Sequence, residues 1–443
     1  MILNSQAGKK IGILGLGRTG ESVFTALNNI AQEIICSDDS ELTKANFATK
    51  YNAVIADISD PRWLGLDRII VSPGIANSHK IFSFARDNNI EISSDIGLFL
   101  EENPNSRIVA VTGTNGKSTT VSLIGHILEQ NNINHKIGGN IGLPVLNLPA
   151  NAEIYVLELS SFQLDLLNNF NPDISVLLNI TPDHLDRYDS YETYCKSKFR
   201  AFEGDGIKII GIESEKSREF FFHLKSLGDR KIIPISSNSN RYGISCTPYN
   251  LKDNFYNKRK FDLPPLENLL GDHNRENIAA AFAVCRALGL TSKQIIDRLS
   301  SFQNLPHRMQ YLGKKNNIKY YNDSKATNIA SAYCSLSSLS DIFWLVGGIF
   351  KEESLESLNT ILGNIKKAYL FGESKMIFGD YLKNKVEYEI FSTMQEAFIK
   401  AESEANSLGK EANILLAPAC SSLDQFKNYV DRGEQFIGLY NAK

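Results

Sequence analysis

The sequence predicts an α/β protein with three α/β domains in series, each built on a mainly parallel sheet. Short apolar runs alternate with amphipathic or polar stretches along most of the chain, which is the pattern of βα units. Two glycine-rich turns each follow an apolar run and precede a helical pattern, as nucleotide-binding loops do. A length of 443 residues agrees with about three domains of ordinary size.

The N-terminal domain is predicted to span residues 1–96 and to be Rossmann-like. Its strand-like apolar runs lie at 11–14, 34–36, 53–55 and 69–71. The turn Gly15-Leu-Gly-Arg-Thr-Gly20 follows the first run, and Asp38 and Asp39 lie about 20 residues later, as in a dinucleotide-binding fingerprint. Alone, this pattern predicts a nicotinamide-dependent oxidoreductase, although the same loop would hold the diphosphate of another nucleotide equally well.

A second glycine-rich loop lies in the central domain, which is predicted to span residues 97–304 and to be P-loop ATPase-like. An apolar run at 108–111 leads into Thr112-Gly-Thr-Asn-Gly-Lys-Ser-Thr-Thr120, one residue shorter than the general P-loop spacing. Its glycines let backbone N–H groups close around phosphate oxygens, its lysine adds a positive charge, and a hydroxyl at the helix start can cap the helix and bind Mg²⁺. The residues expected to hold ATP and Mg²⁺ are Gly113, Thr114, Asn115, Gly116, Lys117, Ser118 and Thr119.

The other elements are predicted from apolar runs and helical patterns. In the central domain these are a helix over 118–130, strands at 154–159 and 174–180, and a helix at 276–288. The stretch 205–265 is predicted to be irregular and peripheral to that domain. The C-terminal domain is predicted to span 305–443 and to be Rossmann-like, with strands at 318–321, 342–346, 367–371 and 413–416.

Several polar residues of the central domain are candidate ligands. Glu158 lies near the end of a strand-like run, where α/β proteins present ligands, and His184 lies in a polar turn. Lys196 and Lys198 follow on a predicted helix, where a solvated lysine is the ordinary expectation. Taken singly, such an acid or histidine is more often a surface or core residue than a ligand.

The composition excludes some classes of function. A net charge of −3 provides no basic field for nucleic acid or an anionic membrane. No stretch reaches the roughly 18 apolar residues of a membrane span, and the N-terminus lacks the pattern of a secretory signal. The six cysteines form no Cys-x-x-Cys pair and are predicted to be reduced thiols. We therefore expect a cytoplasmic protein without nucleic-acid or membrane partners. Independently of these observations, we expect a monomer.

The loop at 112–120 resembles the variant P-loop of the Mur ligase superfamily, which includes the folylpolyglutamate synthetases, and the resemblance extends over nearly the whole chain. The stretches 155–163 and 179–188 and the Tyr-x-x-x-Lys ending at Lys198 are similar to further motifs of that family. The resemblance implies two Mg²⁺ ions, one bound by Ser118 and Glu158 and the other by His184. It also implies that Lys198, rather than Lys196, carries a carbamate made from CO₂, which gives Mg²⁺ an anionic oxygen ligand.

The resemblance further assigns the N-terminal domain to the uridine nucleotide of a substrate. The substrate contacts that it implies in the first two domains are Arg18, Thr19, Ser72, Gly74 and Asn140. Residues 38–40, Asp-Asp-Ser, do not reproduce the family's uracil-side contacts, so those contacts stay unassigned. The stretch 271–277 resembles the family's His-Asn-x-x-Asn motif, in which the second Asn, here Asn277, meets the adenine.

Two C-terminal motifs are similar to those that bring the nucleotide and the amino acid together. Arg308, in Leu-Pro-His-Arg, is a fork-shaped cation suited to phosphate. The stretch 322–328, Asn-Asp-Ser-Lys-Ala-Thr-Asn, resembles the loop that brings Asp323 to the nucleotide. In the same loop, Lys325 and Thr327 are expected to contact the incoming amino acid.

The end of the chain resembles the D-glutamate-adding member of the family. By position in the stretch 417–436, Ser422 is expected to bond a substrate carboxylate, and Tyr429 occupies a site where the family often has Phe. Lys351 is expected to be a second cation for a dicarboxylate. The family usually has an acidic or small residue just before that lysine, and this chain has Phe350.

Together these similarities imply an ATP-dependent amide ligase that adds D-glutamate to UDP-N-acetylmuramoyl-L-alanine through an acyl phosphate, during synthesis of peptidoglycan precursors. Its catalytic residues would be Lys117, Glu158, His184, Lys198 and Lys325. Three alternatives stay open: a nicotinamide-dependent oxidoreductase, a related ligase that takes another amino acid, and an ATP-binding switch without catalysis.

Overall fold

The computed structural model describes residues 1–238, 242–352 and 354–442. The chain folds into two compact units. The first comprises Met1–Cys246, Leu251–Lys260 and Glu276–Ile295. The second comprises Thr247–Asn250, Phe261–Arg275 and Ile296–Lys443. No helix in the described ranges is long and apolar enough to cross a membrane.

A parallel sheet of five strands lies at the start of the first unit: β1 (Lys10–Leu14), β2 (Glu33–Ser37), β3 (Val54–Ile55), β4 (Arg68–Val71) and β5 (Glu91–Ser93). The helices that connect its strands or follow them are α1 (Arg18–Leu27), α2 (Glu41–Tyr51), α3 (Lys80–Asp87) and α4 (Asp95–Glu102). Its strand order is β3-β2-β1-β4-β5. The order reverses between β1 and β4, so the loops that follow these two strands flank the position where such sheets bind nucleotides.

The second sheet has nine strands: β6 (Arg107–Thr112), β7 (His135–Gly139), β8 (Ile154–Glu158), β9 (Ile174–Leu177), β10 (Ile207–Gly211), β11 (Ile232–Ser236), β12 (Ile244–Cys246), β13 (Asn250–Asp253) and β14 (Arg259–Asp262). Its order is β14-β13-β12-β11-β10-β9-β6-β8-β7. The associated helices are α5 (Lys117–Gln130), α6 (Ser161–Asp165), α7 (Tyr191–Phe199), α8 (Glu215–Ser226), α9 (Asp272–Ala287) and α10 (Ser292–Ile296). All pairs from β7 to β12 along this order are parallel, and β12 pairs with β13 in the antiparallel sense.

The prediction that residues 205–265 are irregular and peripheral was wrong. Within its described part, which leaves out 239–241, this stretch forms β10 to β14 and α8 and continues the main sheet beyond β9. Its strands are short and are separated by segments rich in Asn, Lys and Ser. Because neighbouring strands bury them, their own sequences carry no strong strand pattern.

The third sheet lies in the second unit and has six strands: β15 (Gln310–Lys315), β16 (Ile318–Asn322), β17 (Ile342–Gly347), β18 (Ile365–Phe371), β19 (Tyr388–Ile390) and β20 (Ala412–Leu416). Its order is β15-β16-β20-β17-β18-β19, and only the β15–β16 pair among them is antiparallel. The helices are α11 (Ile329–Ser337), α12 (Lys375–Leu382), α13 (Met394–Ser407) and α14 (Tyr429–Asn441). Three mostly parallel sheets with helices confirm the predicted fold class; the boundaries at 96 and 304 stay predictions.

Apolar clusters hold each unit together. In the first unit, one cluster joins β1 residues such as Ile13 to β6 and β8 residues such as Ala110 and Leu157, so the first two sheets share a core. In the second unit, alternate residues of β17 enter two clusters: Trp344 lies in one and Leu345 in the other. Burial on both faces is what a central parallel strand requires.

We expect Trp344→Ala to destabilise the chain strongly. The Trp344 side chain is fully buried, its Nε1 donates to the carbonyl oxygen of Ala417 at 2.7 Å, and its ring meets that of Phe378 edge-on. Truncation leaves a cavity and an unpaired carbonyl, which should lower the free energy of unfolding by about 3–5 kcal/mol. Urea unfolding followed by circular dichroism measures this. Ile399→Ala, at a half-exposed helix position, is the control and should change stability by less than about 0.5 kcal/mol.

Candidate active site

The carboxyl ends of four parallel strands meet at one edge of the second sheet. Strand register sets Val111 of β6 beside Glu158 of β8, and Glu158 beside Gly139 of β7. On the other side of β6, Thr112 lies beside Leu177 of β9. The loops after β6, β7 and β9 and the end of β8 therefore lie at the same edge of the sheet. Open α/β sheets bind ligands at this edge.

The loop after β6 has the backbone of a phosphate-binding turn. Gly113 and Gly116 both have positive φ, 146° and 85°, which side chains rarely tolerate. A Cβ on Gly116 would lie 2.3 Å from the Asn277 Oδ1 atom. Gly116 is the N-cap of α5 and no side chain caps the helix, so the prediction that a hydroxyl of Ser118 or Thr119 caps it was wrong. Without a capping side chain, the first N–H groups of α5 can face a bound anion.

The loop after β9 stabilises the P-loop through hydrogen bonds. The backbone N–H of Thr114 donates to the Asn179 carbonyl at 2.8 Å, and that of Asn115 to the Asn179 Oδ1 at 2.9 Å. The hydroxyls of Thr114 and Tyr194 lie 3.0 Å apart. Asn179 was not predicted to have a role, although it is the first residue of the 179–188 motif. It fixes the loop's shape from both its backbone and its side chain.

Asn179 also connects the loop to α9. Its Nδ2 donates to Glu276 Oε2 at 3.1 Å, and burial raises the pKa of Glu276 to about 8. The next residue, Asn277, accepts a hydrogen bond from the Thr120 hydroxyl at 3.1 Å. The predicted adenine contact, Asn277, is thus brought against the start of α5, and Glu276 is a neighbour that the sequence did not single out.

Two lysines donate to the same backbone carbonyl. Lys117 Nζ lies 2.8 Å and Lys198 Nζ 3.0 Å from the oxygen of Gly113. Lys198 is 2% exposed, and burial, together with the nearby charge of Lys117, lowers its pKa from 10.5 to about 7. Lys196, the other candidate on α7, is exposed. Burial therefore separates the two lysines clearly: a fraction of Lys198 amines is neutral near pH 7, as reaction with CO₂ requires.

Glu158, the last residue of β8, is buried, and one of its two carboxylate oxygens has no partner among the described residues. Its Oε1 accepts from Asn140 Nδ2 at 3.0 Å, and its Oε2 is the unsatisfied atom. A buried carboxylate oxygen without a donor suits a cation. The described residues contain no group of three or more His, Cys, Asp or Glu arranged to hold a metal. Mg²⁺ commonly takes one or two carboxylates and completes its shell with water and phosphate oxygens, so this donor set fits it.

His184 lies in a strained turn close to the P-loop. Its φ is 54°, and its imidazole is about half exposed, which leaves the ring accessible. The ring centroid lies 4.9 Å from that of Phe162 and 6.5 Å from that of Tyr194, whose hydroxyl contacts Thr114. Strain of this kind is frequent at functional sites. The imidazole is therefore held by aromatic contacts near the loop.

The predicted substrate contacts lie on loops of the first unit that bond to each other. Arg18 donates to the Gly142 carbonyl at 2.9 Å, and the Ser72 hydroxyl to the Gly15 carbonyl at 2.7 Å. Thr19 follows Arg18 in the first turn of α1. Arg187, which the sequence did not assign, donates to the carbonyls of residues 73–75, including that of Gly74 at 2.8 Å. Its guanidinium lies 4.1 Å from the Phe162 ring centroid, so one side chain joins this turn to the His184 region.

In the second unit, both carboxylate oxygens of Asp323 accept hydrogen bonds from neighbouring residues of the same unit. Its Oδ1 accepts from the Met309 N–H at 3.1 Å, its Oδ2 accepts from the Ser335 hydroxyl, and burial raises its pKa to about 6. Arg308, half-buried, contributes a positive charge that acts against this rise. Asp323 thus holds the loop of Arg308 in place.

The predicted amino-acid residues lie on three loops and a helix start of the second unit. Lys325 Nζ lies 5.2 Å from the ring centroid of Tyr429, the first residue of α14. Thr327 is exposed two residues further on. Ile349 and Ser421 exchange backbone hydrogen bonds of 2.8 and 3.0 Å. This pairing brings the loop of Lys351, which is exposed, beside that of Ser422, which is buried.

Two family models match the chain. The model described as "Mur ligase middle domain" matches residues 111–285, and the one described as "Mur ligase MurD-like, N-terminal domain" matches residues 9–94. The first match contains the P-loop, Glu158, His184 and Lys198. The second contains the loops after β1 and β4.

Several curated proteins are similar to the chain over its whole length. A UDP-N-acetylmuramoylalanine--D-glutamate ligase of Rickettsia prowazekii (strain Madrid E) is 46% identical, with 99% of each chain covered. Proteins of the same name are 37% identical in Wolbachia pipientis wMel, covering 99% of this chain and 98% of that one, and 36% identical in Rhizobium meliloti (strain 1021), covering 98% and 97%.

Solved structures share the fold at low identity. The UDP-N-acetylmuramate-alanine ligase MurC of Thermotoga maritima is 18% identical with a TM-score of 0.59, covering 98% of this chain and 99% of that one. A UDP-N-acetylmuramoylalanyl-D-glutamyl-2,6-diaminopimelate--D-alanyl-D-alanyl ligase of Acinetobacter baumannii is 16% identical with a TM-score of 0.60, covering 99% and 92%. At these identities the likeness concerns the fold alone.

The lowered pKa of Lys198 predicts a stability that depends on pH. Between pH 7 and 10.5 the unfolded lysine keeps a proton that the folded one has released, so stability rises with pH in that window. Relative to Lys198→Met, the free energy of unfolding of the unchanged chain should increase by up to about 1.4 kcal/mol per pH unit. Urea unfolding in CO₂-free buffers measures this. Lys196→Met is the matched control and should show no such slope; a slope that Lys198→Met does not alter would contradict the assignment.

Proposed function

The chain belongs to the Mur ligase family, among the UDP-N-acetylmuramoylalanine--D-glutamate ligases, and on that premise we propose that it joins D-glutamate to UDP-N-acetylmuramoyl-L-alanine. The reaction forms an amide between the alanyl carboxyl group and the amine of D-glutamate, with ATP converted to ADP and phosphate, in peptidoglycan synthesis. The proposal assigns this reaction to a monomer in the cytoplasm.

The observation that carries the proposal is the arrangement around the Gly113 carbonyl. Lys117 and the buried Lys198 both donate to it, and Glu158 ends the neighbouring strand with a carboxylate oxygen that no described donor satisfies. A phosphate-binding loop, a lysine that is in part neutral and a carboxylate suited to a cation are the groups that ATP-dependent activation of a carboxylate requires.

Two Mg²⁺ ions would be held by four side chains and the nucleotide. Ser118 and Glu158 would bind one ion, and His184 the other, with a carbamate on Lys198 as a further anionic ligand. Carbamate formation joins the neutral amine nitrogen to the carbon of CO₂ and releases one proton. When bound, Mg²⁺ neutralises phosphate charge and polarises the γ-phosphoryl group.

The chain's own groups would orient and stabilise the reacting atoms. The first backbone N–H groups of α5, which no side chain caps, would hold the phosphates, and Lys117 would offset the negative charge that moves toward ADP. An alanyl carboxylate oxygen attacks the γ-phosphorus, the bond to ADP breaks, and an acyl phosphate forms. The neutral amine of D-glutamate then attacks the acyl carbon, phosphate leaves, and the nitrogen loses its extra proton.

The remaining predicted residues would bind the three substrates. Arg18, Thr19, Ser72, Gly74 and Asn140 would hold the UDP-substrate, and Asn277, Arg308 and Asp323 the ATP. The residues for D-glutamate would be Lys325, Thr327, Lys351, Ser422 and Tyr429. Lysines placed near hydroxyl groups suit a ligand with two carboxylates.

The nicotinamide alternative is less well supported. In such enzymes the acidic residue about 20 positions after the glycine turn bonds the ribose. Here Asp38 already accepts the N–H of Leu16 at 2.7 Å and that of Ser40 at 2.9 Å, one with each oxygen. Its carboxylate shapes the loop, and the membership of the chain in the Mur ligase family, rather than these two bonds, disfavours the oxidoreductase. A related ligase with another amino acid remains an outcome of the experiment below.

In the presence of Mg²⁺, we expect the release of phosphate from ATP to require both UDP-N-acetylmuramoyl-L-alanine and D-glutamate. Phosphate release is measured with D-glutamate, L-glutamate, L-alanine and meso-diaminopimelate in parallel. Lys117→Met should lower the rate at least about 100-fold, because it removes charge stabilisation of the transferring phosphoryl group. Lys196→Met serves as the control and should retain the rate. Release with another amino acid would move the chain to a related ligase, and no release with any would refute the ligase.

A separate experiment tests the carbamate on Lys198. With ¹³C-labelled bicarbonate, a carbamate carbon resonance is expected in the NMR spectrum of the unchanged chain, because the lowered pKa leaves neutral amine to react. Lys196→Met should keep the resonance and Lys198→Met should lose it. A resonance that persists in Lys198→Met, or none in the unchanged chain, would exclude the carbamate at this position without bearing on ATP turnover.

A further inference from the structure

Arg432, in the first turn of α14, is a buried cation to which neither the motifs nor the proposed mechanism gives a role. It is 0% exposed and ranks among the largest fully buried side chains. Burying a charge is costly unless its hydrogen-bonding groups are satisfied. The partners of Arg432 therefore indicate what its charge is retained for.

Among the described residues, the hydrogen-bond acceptors of Arg432 are neutral oxygens of Ser324, Gly347 and Cys420. Nε donates to the Ser324 hydroxyl at 3.0 Å and Nη2 to the Ser324 carbonyl at 2.8 Å. Nη1 donates to the Gly347 carbonyl at 3.3 Å, and Nη2 also to the Cys420 carbonyl at 3.1 Å. The planar fork thus joins the loop after β16, the end of β17 and the loop after β20.

Each of these loops carries a residue proposed to bind D-glutamate. Lys325 follows Ser324 directly, Lys351 lies four residues after Gly347, and Ser422 lies two residues after Cys420. The Ser324 hydroxyl in turn donates to the carbonyl of Tyr429 at 2.7 Å. The guanidinium therefore bonds backbone carbonyls that lie one to four residues before Lys325, Lys351 and Ser422.

The charge of Arg432 is not neutralised by an ion pair. Across the part of the chain that the structure describes, no carboxylate lies within ion-pair distance of it; Asp424 acts on it only at longer range. Burial lowers its pKa to about 10, so it stays charged near pH 7. In a low-dielectric interior a cation without an ion-pair partner attracts an anion over several ångströms.

A different buried cation of the same unit shows the ordinary arrangement. Lys367, on β18, is also buried, but it pairs with Glu387, Glu389 and Glu404 at 2.9–3.3 Å. These three carboxylates neutralise the charge of Lys367, which stabilises the fold. Arg432 has neutral hydrogen-bond partners instead, and no ion pair within the described residues neutralises its charge.

We propose that Arg432 is a positioning residue for the amino-acid acceptor: it fixes the three loops around the acceptor, and its unbalanced charge favours a dicarboxylate. This inference rests on the proposed function for the identity of the acceptor. It makes Arg432 the residue through which the three loops keep a common geometry, although it contacts no substrate itself.

The experiment compares Arg432→Gln and Arg432→Lys with Lys367→Met in the full chain. KM is measured for D-glutamate, ATP and UDP-N-acetylmuramoyl-L-alanine, with kcat, after circular dichroism has established that each variant is folded. Arg432→Gln should raise KM for D-glutamate at least about tenfold and leave the other two KM values within about twofold. Arg432→Lys keeps the charge but loses the fork, so its KM should lie between. Lys367→Met should lower stability and leave KM for D-glutamate unchanged.

Amide hydrogen exchange gives a readout that does not depend on turnover. In Arg432→Gln, exchange should accelerate in residues 324–327, 347–351 and 420–422 and not in the β18–β19 region; Lys367→Met should show the reverse. Unchanged exchange in the three loops, or KM values that all rise together with a loss of folded protein, would overturn the inference. If the unchanged chain shows no D-glutamate-dependent turnover, the proposed function fails and the dicarboxylate preference with it, while the exchange data still decide the positioning role.

Discussion

The parallel alignment of β6, β7, β8 and β9 is the constraint on which the candidate active site depends. Because these strands run in the same direction, their carboxyl ends open at one edge. Two backbone bonds, from Leu159 to Val111 and from Leu178 to Thr112, fix the relative heights of the loops. A slip of β8 by one residue would move Glu158 by about 3.3 Å and turn it to the other face. The chemistry of the site thus depends on sheet register as much as on the P-loop.

Two buried cations meet the cost of burial in different ways. Lys198 can lose its proton, and burial beside Lys117 lowers its pKa to about 7. Arg432 keeps its proton near pH 7, and neutral oxygens of Ser324, Gly347 and Cys420 satisfy its N–H groups. A lysine thus suits the carbamate proposed at position 198, and an arginine suits the permanent charge at position 432.

Features that depend on a short stretch of sequence were predicted. Contacts between residues far apart in the chain were not. The P-loop and the end of β8 at Glu158 follow from glycines and apolar runs. The strands β12 to β14 did not stand out, because they are short and gain their burial from neighbours. Arg432 could not be singled out, since its partner Ser324 lies 108 positions away and a lone arginine on a helix is ordinarily exposed. The bonds of Asn179 and Arg187 across loops were missed for the same reason.

Phe350 shows how a departure from the family pattern is accommodated. Its ring meets that of Phe378 at 5.6 Å and packs against the core of the second unit, where an acidic residue would be buried at a cost. The next residue, Lys351, is exposed, and the bonds between Ile349 and Ser421 keep its loop beside Ser422. Phe350 therefore packs on the core of the second unit, while the exposed Lys351 stays on the loop that pairs with Ser421.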